Sequence, residues 1–286
     1  MRLFLLTFLN GLTLAALYFM VASGFTLVFG LMRHVNLAHG SLYLLGAYLG
    51  WETARLSGSW YLGVAAGFLS MSVAGLLLQV GIMRHMEGQY LRQTLVTIAI
   101  SIIAADLMLA KWTGIAYQFD PPPWLFGATP LPVVRAYPTY RLVLLATAIV
   151  IGVALWVFLT KTRVGMMIRA GVDDRGILAA SGVNVQLVFA LTFAVGAGLA
   201  GFAGVVGSTA MSIAPGEDTR YLLASLIVVI VGGMGSVPGA ALGAVLVGSA
   251  EQFGLAYTPT YGMVFTFVIM VVVLAIRPQG ILGRPA

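Results

Sequence analysis

A cluster of charged residues in the second half of the chain is the first candidate for chemistry. Six of the fifteen positions from 161 to 175 are charged: Lys161, Arg163, Arg169, Asp173, Asp174 and Arg175. The stretches on either side are apolar, so these side chains stand out. The segment 161–184 is therefore interpreted either as a docking surface for a soluble protein or as a solvated connection without a partner. The residues alone leave both interpretations open.

The sequence contains no motif that is typical of an enzyme. Nothing matches G-x-x-x-x-G-K-[ST], so the chain has no nucleotide-binding loop of that type. The glycine-rich stretch 232–239 lacks the lysine that this motif requires. The three histidines of the chain are not at metal-ligand spacing, and the chain contains no cysteine. We therefore predict a protein that is not an enzyme and holds no metal or cofactor of its own.

Two acids, Asp106 and Glu251, fall within otherwise apolar stretches. Ionisable residues inside a membrane often mark a path for ions or substrates. Both acids are also close to the ends of their stretches, where a structural or interfacial role is common, and the sequence does not decide between the two.

The elements around these residues are those of a membrane protein. Only 8% of the 286 residues are charged and 60% are hydrophobic, whereas soluble domains carry about 25% charged residues. Long stretches without any charge are 3–32, 56–83, 142–160, 176–216, 221–250 and 252–276. Each reaches the roughly 18 to 20 residues that cross a bilayer. We predict an all-α, polytopic membrane protein, and the basic residues are attributed to membrane topology rather than to nucleic acid.

Eight or nine membrane segments are expected in a single domain that covers 1–286, and some of them are interrupted. The expected segments include 5–31, 60–83, 94–109, 140–159, 187–207, 221–231 and 261–276. A loop at 112–139 contains six prolines, which excludes an α-helix through it. The charged residues Glu217, Asp218 and Arg220 are predicted to lie in a short loop before position 221.

Two polar or glycine-containing stretches predict broken helices that line a substrate path. In the first, Asn36, His39, Gly40 and Ser41 precede a short apolar segment. Irregular backbone is tolerated at membrane depth where it is buried in protein or lines a cavity. The alternative is an ordinary turn in which Asn36 or Ser41 caps the next helix. In the second stretch, the path candidates are Gly232, Gly233 and Gly235.

Small residues predict close helix packing in two places. Gly196, Ala200, Gly204 and Ser208 recur every fourth residue, which gives one smooth helix face. Gly239 and Gly243 form a shorter face of the same kind.

The charged segment itself is predicted to form one amphipathic helix over 168–182. Arg169 and Asp173 are four residues apart and share a face. Ile168, Val172 and Leu178 are expected to face the membrane surface, and Gly182 is expected to end the helix.

If this segment is placed in the cytoplasm, nine basic residues lie on the cytoplasmic side and six on the other. The bias agrees with the positive-inside rule and predicts a cytoplasmic C-terminus and an external proline-rich loop.

Several motifs, taken in order, resemble the LivH-type permease subunit of branched-chain amino-acid ABC importers. They are N-G-L-T-L at 10–14, G-F-T-L-V-F-G-L-M at 24–32, V-N-L-A-H-G-S-L-Y at 35–43, G-G-M-G-S-V-P-G at 232–239 and R-P-Q-G-I-L-G at 277–283. The resemblance covers nearly the whole chain.

The resemblance implies a permease subunit of the bacterial inner membrane. It implies four kinds of partner: a second related permease, two ATPase subunits that bind the ATP, an external substrate-binding protein and membrane lipid. Carried over by position, the residues that couple to the ATPase are Arg169, Ala170, Asp173, Asp174 and Gly182. Branched-chain amino acids are the implied substrates. Other amino acids, amides or urea, and a carrier that works without ATPases, remain as alternatives.

Overall fold

The computed structural model describes residues 2–32, 36–130, 134 and 136–283. Eleven α-helices lie within these ranges. They are α1 (Arg2–Met32), α2 (His39–Ser57), α3 (Trp60–Gly81), α4 (Tyr90–Trp112), α5 (Thr139–Lys161), α6 (Arg163–Asp173), α7 (Arg175–Ala180), α8 (Val185–Ala210), α9 (Glu217–Gly232), α10 (Val237–Tyr257) and α11 (Gly262–Ile276).

Of the eleven helices in the described ranges, six are long and apolar enough to cross a membrane: α1, α3, α4, α5, α8 and α10. Three others, α2, α9 and α11, pack among them but are shorter or more polar. These nine helices confirm the prediction of a polytopic helical membrane protein with eight to nine membrane segments. The two remaining helices, α6 and α7, lie in the charged segment between α5 and α8.

Helices α1 and α8 form the centre of the bundle. They cross where Gly24 meets Gly196, and a Cβ on either glycine would collide with backbone of the other helix. Small residues are required here because two backbones in contact leave no room for side chains. Every residue from 13 to 28 in α1 is buried, including Tyr18 and Phe25 at 1% exposure.

The other helices surround this pair. On one side α2 and α3 pack against α8, and on the other side α9 and α10 pack against α1, with α11 outside α10. The small-residue face of α8 contacts two helices rather than one: Gly196 meets α1, and Gly204 meets the Tyr43 carbonyl of α2. As predicted, Gly239 and Gly243 form a packing face, and it contacts α9.

The proline-rich loop contains no α-helix in its described part. A 3-10 turn covers Pro123–Leu125, and strand β1 (Ala128–Thr129) pairs antiparallel with β2 (Tyr137–Pro138). The buried Tyr137 donates a hydrogen bond to the carbonyl oxygen of Leu9 at 3.0 Å, which anchors the loop to the first turns of α1. The end of the bundle that carries this loop is called the loop end, and the opposite end, which carries α6 and α7, is called the coupling end.

Candidate functional site

The charged segment forms two helices, so the prediction of one helix over 168–182 was wrong. Helix α6 ends at Asp173, and α7 begins at Arg175. The break lies at Asp174, whose backbone is extended and whose Oδ1 accepts hydrogen bonds from the amides of Gly176 (2.7 Å) and Ile177 (3.0 Å). An aspartate at this position stabilises a new helix start, because it binds amides that have no partner within the helix.

Further caps fix the ends of the segment. Thr162 accepts a hydrogen bond from the amide of Gly165 at 3.0 Å, and Asn184 accepts one from the amide of Leu187 at 3.1 Å. Gly165 lies directly against the carbonyl of Phe158, so a side chain there would prevent α6 from folding back onto the end of α5. The orientation of α6 is therefore set by local sequence.

The apolar face of α6 packs on protein, which corrects the expectation that it faces the membrane surface. Ile168 is 3% exposed and lies in a cluster with Val28, Phe189 and Phe193, against which Val172 also packs. Leu178 of α7 is buried as well. Helix α6 is thereby attached to α1 and α8, the two central helices.

The opposite face of the segment is exposed, and it carries every residue predicted to couple to an ATPase. Arg169, Ala170, Asp173, Asp174 and Gly182 are all exposed. Among them stand two large apolar side chains, Met166 at 46% and Ile177 at 67% exposure. Gly182 has a φ of +80° and ends α7 by donating its amide to Ala179 at 3.0 Å, a left-handed conformation that favours glycine.

The start of α2 is buried deep in the bundle. Asn36, His39 and Ser41 are each at most 2% exposed. The cap of α2 is Ala38, without a side-chain hydrogen bond, so the alternative in which Asn36 or Ser41 caps this helix was wrong. Asn36 instead accepts the amide of Ala38 at 3.1 Å in a local turn.

The contacts of this start place it near the middle of the bundle. His39 Nε2 lies 3.0 Å from the carbonyl oxygen of Val21 in α1, and the Ser41 hydroxyl lies 2.8 Å from that of Ser101 at the midpoint of α4. Gly40 touches the Asp218 carbonyl of α9 so closely that no side chain fits. Helix α2 therefore begins at membrane depth and runs towards the loop end.

The glycines of 232–239 serve contacts between backbones at the coupling end. Gly232 lies against Gly239, and Gly233, with a φ of +108°, lies against Gly283. The chain after α11 returns to this turn, where the amides of Ile281 and Leu282 donate to the carbonyls of Val231 and Gly232, each at 2.9 Å. The motifs 232–239 and 277–283 thus form one contact. Of the three path candidates, Gly232 and Gly233 are buried in it and Gly235 is exposed.

The residues at 217–220 are the main functional candidates that the sequence analysis misplaced. They form the first turn of α9, not a loop, and Asp218 is only 5% exposed. Arg220 pairs with Glu251 of α10 at 3.3 Å and with Glu217 at 3.6 Å. Glu251, 4% exposed, also accepts a hydrogen bond of 2.6 Å from Tyr18 of α1.

A signal for this arrangement was present in the sequence. The apolar run 221–231 contains eleven residues, which is about half of what a bilayer-spanning helix needs. Its charged neighbours must therefore belong to the same helix and enter the bundle. The other acid considered, Asp106, is exposed on α4, and near it Lys111 pairs with Glu52 of α2 at 2.9 Å.

Comparison with known proteins places the chain in a family. Residues 7–274 match the family described as the permease component of the branched-chain amino acid transport system. The chain belongs to this family.

Individual relatives of this permease family are similar over almost the full length of this chain. The high-affinity branched-chain amino acid transport system permease protein LivH of Salmonella typhimurium is 29% identical over 99% of this chain and 96% of its own length. The corresponding protein BraD of Pseudomonas aeruginosa is 30% identical over 96% and 94%. The LivM permease protein of Escherichia coli is 26% identical over 94% of this chain and 68% of its own length.

The family match covers the candidate site residues described above. It contains the start of α2, the charged segment with α6 and α7, and the ion pairs of Arg220 and Glu251. Among the described residues no group of three acids or histidines could hold a metal ion. The candidate site therefore consists of an exposed charged surface on α6 and α7 and a buried polar region.

Proposed function

We propose that this chain is a membrane-spanning subunit of an ATP-driven importer and translocates branched-chain amino acids that an external binding protein delivers. The observation that carries the proposal is the coupling surface, which consists of α6, α7 and Gly182. It is exposed, charged and structurally fixed, whereas the chain has no nucleotide-binding loop. Family membership and the names of the LivH and BraD relatives support the substrate class.

The proposed partners are a second permease, two ATPase subunits and the binding protein. The second permease is supported by the finding that Escherichia coli has two relatives of this chain, LivH and LivM. The ATPases would bind the ATP and dock on the coupling surface. The coupling end and the C-terminus are accordingly assigned to the cytoplasm, and the loop end to the side of the binding protein.

The attachments of α6 suggest how ATPase movement reaches the membrane. Ile168 joins α6 to α1 and α8 through Val28, Phe189 and Phe193, and Gly165 joins it to α5. Because these contacts are close-packed, a displacement of α6 moves its neighbours rather than being absorbed. Helix α1 then carries the displacement to His39 and the start of α2.

Reconstitution of the assembled complex in vesicles tests the proposal. Leucine uptake should require the binding protein, the ATPases and ATP. Uptake by this chain alone would overturn the proposal and favour the second candidate function, a self-sufficient carrier. That candidate is supported by the buried acids Glu251 and Asp218 and the partly buried Arg220, since such groups are common in ion-coupled carriers. Competition by isoleucine, valine, small amides and urea would define the substrate class.

A further inference from the structure

We infer that Asp218, Ser41 and Ser101 form a mid-membrane site that binds the ammonium group of the amino acid in transit. The inference rests on the proposed function for the identity of the substrate. The binding chemistry itself follows from the three side chains and can be tested separately.

Asp218 is a buried carboxylate without an ionic partner in the described part of the chain. It is 5% exposed, and its hydrogen bond from the Ser41 hydroxyl is long, at 3.5 Å. The nearby Arg220 is held by Glu251 and Glu217. Burial of an ionised carboxylate is costly without a counter-charge, so this position is suited to a cation.

Local structure explains only part of this burial. Asp218 lies in the first turn of α9, where the helix dipole favours a negative charge. An aspartate could serve that purpose while exposed. Here the close contact between Gly40 and the Asp218 backbone draws this turn against α2 and into the bundle.

A second, independent observation points to a ligand on the same face of α2. The hydroxyl of Tyr48 is buried and forms no hydrogen bond among the described residues. Tyr48 follows Ser41 by two helical turns, so both lie on one face of α2. A buried hydroxyl normally has a partner, and a polar group of the substrate would supply it.

The number and type of oxygens match an ammonium group. Such a group has three N–H donors, and Asp218, Ser41 and Ser101 offer a carboxylate and two hydroxyl oxygens. The two hydroxyls are 2.8 Å apart. The unpartnered Tyr48 hydroxyl is a donor for the substrate's carboxylate.

These side chains lie near the middle of the membrane-spanning bundle, which is the depth expected of a site on a transport path. Ser101 is the midpoint of α4, and the neighbouring His39 contacts α1 at Val21, also well inside the helix. Helix α4 covers the site from one side, yet only Gln93, Thr97, Met108 and Trp112 of its residues are buried. A small outward movement of α4 would expose Ser41 and Asp218, which gives the site a means of access.

The first experiment measures leucine uptake and ATP hydrolysis stimulated by the binding protein in reconstituted complexes. Asp218→Asn should lower uptake about ten-fold or more, the effect of losing a hydrogen bond to a charged group, while hydrolysis changes less than about two-fold. The matched control is Asp106→Asn, which neutralises an exposed acid on α4 and should leave both rates unchanged. Normal uptake by Asp218→Asn, as expected of a neutral buried acid, would overturn the inference. Equal loss of uptake and hydrolysis would do so as well, because it indicates a structural role.

The second experiment separates this site from the proposed function. The Tyr48 ring stacks on Trp112 at 4.7 Å between centroids, so Trp112 fluorescence reports on the surroundings of Tyr48 in the purified chain without ATPases. Leucine should change the fluorescence of the wild type but not of Asp218→Asn, and Trp112→Phe should remove the signal. Binding without ATP-driven uptake would contradict the proposed function alone. The absence of an Asp218-dependent response would contradict the site alone.

Discussion

The coupling surface and the mid-membrane polar site differ in how their residues are distributed along the chain. The coupling surface is one continuous segment, exposed and fixed by its own caps at Thr162, Asp174 and Asn184. The polar site instead combines residues from α2, α4 and α9, which are far apart in the chain. Local sequence therefore determines the first region, and tertiary packing determines the second. Substitutions should accordingly affect docking and coupling in one region, and stability and substrate transfer in the other.

The largest effect on stability is expected from Glu251→Ala. It removes the shorter ion pair of Arg220 and the hydrogen-bond acceptor of Tyr18. Because Arg220 is partly exposed and keeps Glu217, the cost is at most the roughly 3 kcal/mol of breaking a fully buried ion pair. Thermal unfolding of the purified chain in detergent would measure the change. The double variant Arg220→Met, Glu251→Leu should be more stable than Glu251→Ala, because the only charge that loses its partner is then Glu217, which is partly exposed to solvent. If Glu251→Ala unfolds like the wild type, the ion pair has no structural importance.

A smaller effect on stability but a large one on coupling is expected from Gly182→Leu. The left-handed backbone at φ +80° disfavours a side chain by about 1 kcal/mol. The added bulk protrudes from the coupling surface, because no atom of the described residues lies within 4 Å of the position of a Cβ there. Uptake should fall while ATP hydrolysis and membrane insertion persist. Gly81→Leu is the control, since Gly81 also has open space around it. Unchanged uptake with Gly182→Leu would argue against its place in the coupling contact.

The smallest effect is expected from Asp174→Ala. It removes the cap from two amides of α7, which costs about 1 kcal/mol and loosens that helix. Binding of the ATPase should weaken several-fold in a pull-down titration, and Asp174→Asn, which retains a capping oxygen, should restore it. Equal binding by all three proteins would mean that the geometry of α7 is not recognised.

The fold class and most helix positions could be predicted because charge-free stretches of sufficient length have few alternatives in a membrane protein. The predicted span 60–83 corresponds to α3 (Trp60–Gly81), and the predicted span 140–159 to α5 (Thr139–Lys161). The break at Asp174 is not apparent from periodicity, because the apolar residues before and after it have the spacing of a single continuous helix. It is the capping preference of aspartate that interrupts the helix.

The polar site could not be predicted for a different reason. Asp218 and Ser41 are 177 residues apart in the chain, and nothing in their local sequence indicates that they meet. Likewise, the sequence shows the motifs 232–239 and 277–283 separately, and only the fold shows that their backbones are hydrogen-bonded.

Cross-linking from α7 tests most directly that the exposed segment is where an ATPase drives this permease. The chain has no cysteine, so a single Ile177→Cys can be introduced without background. Ile149→Cys on α5 is the matched control, because Ile149 is 68% exposed and Ile177 67%, but Ile149 lies in the middle of a membrane span. We predict a cross-link between Ile177→Cys and the ATPase subunit that is absent from Ile149→Cys. No cross-link from Ile177→Cys, in a complex that imports leucine with ATP, would contradict the assignment of α6 and α7 as the coupling surface.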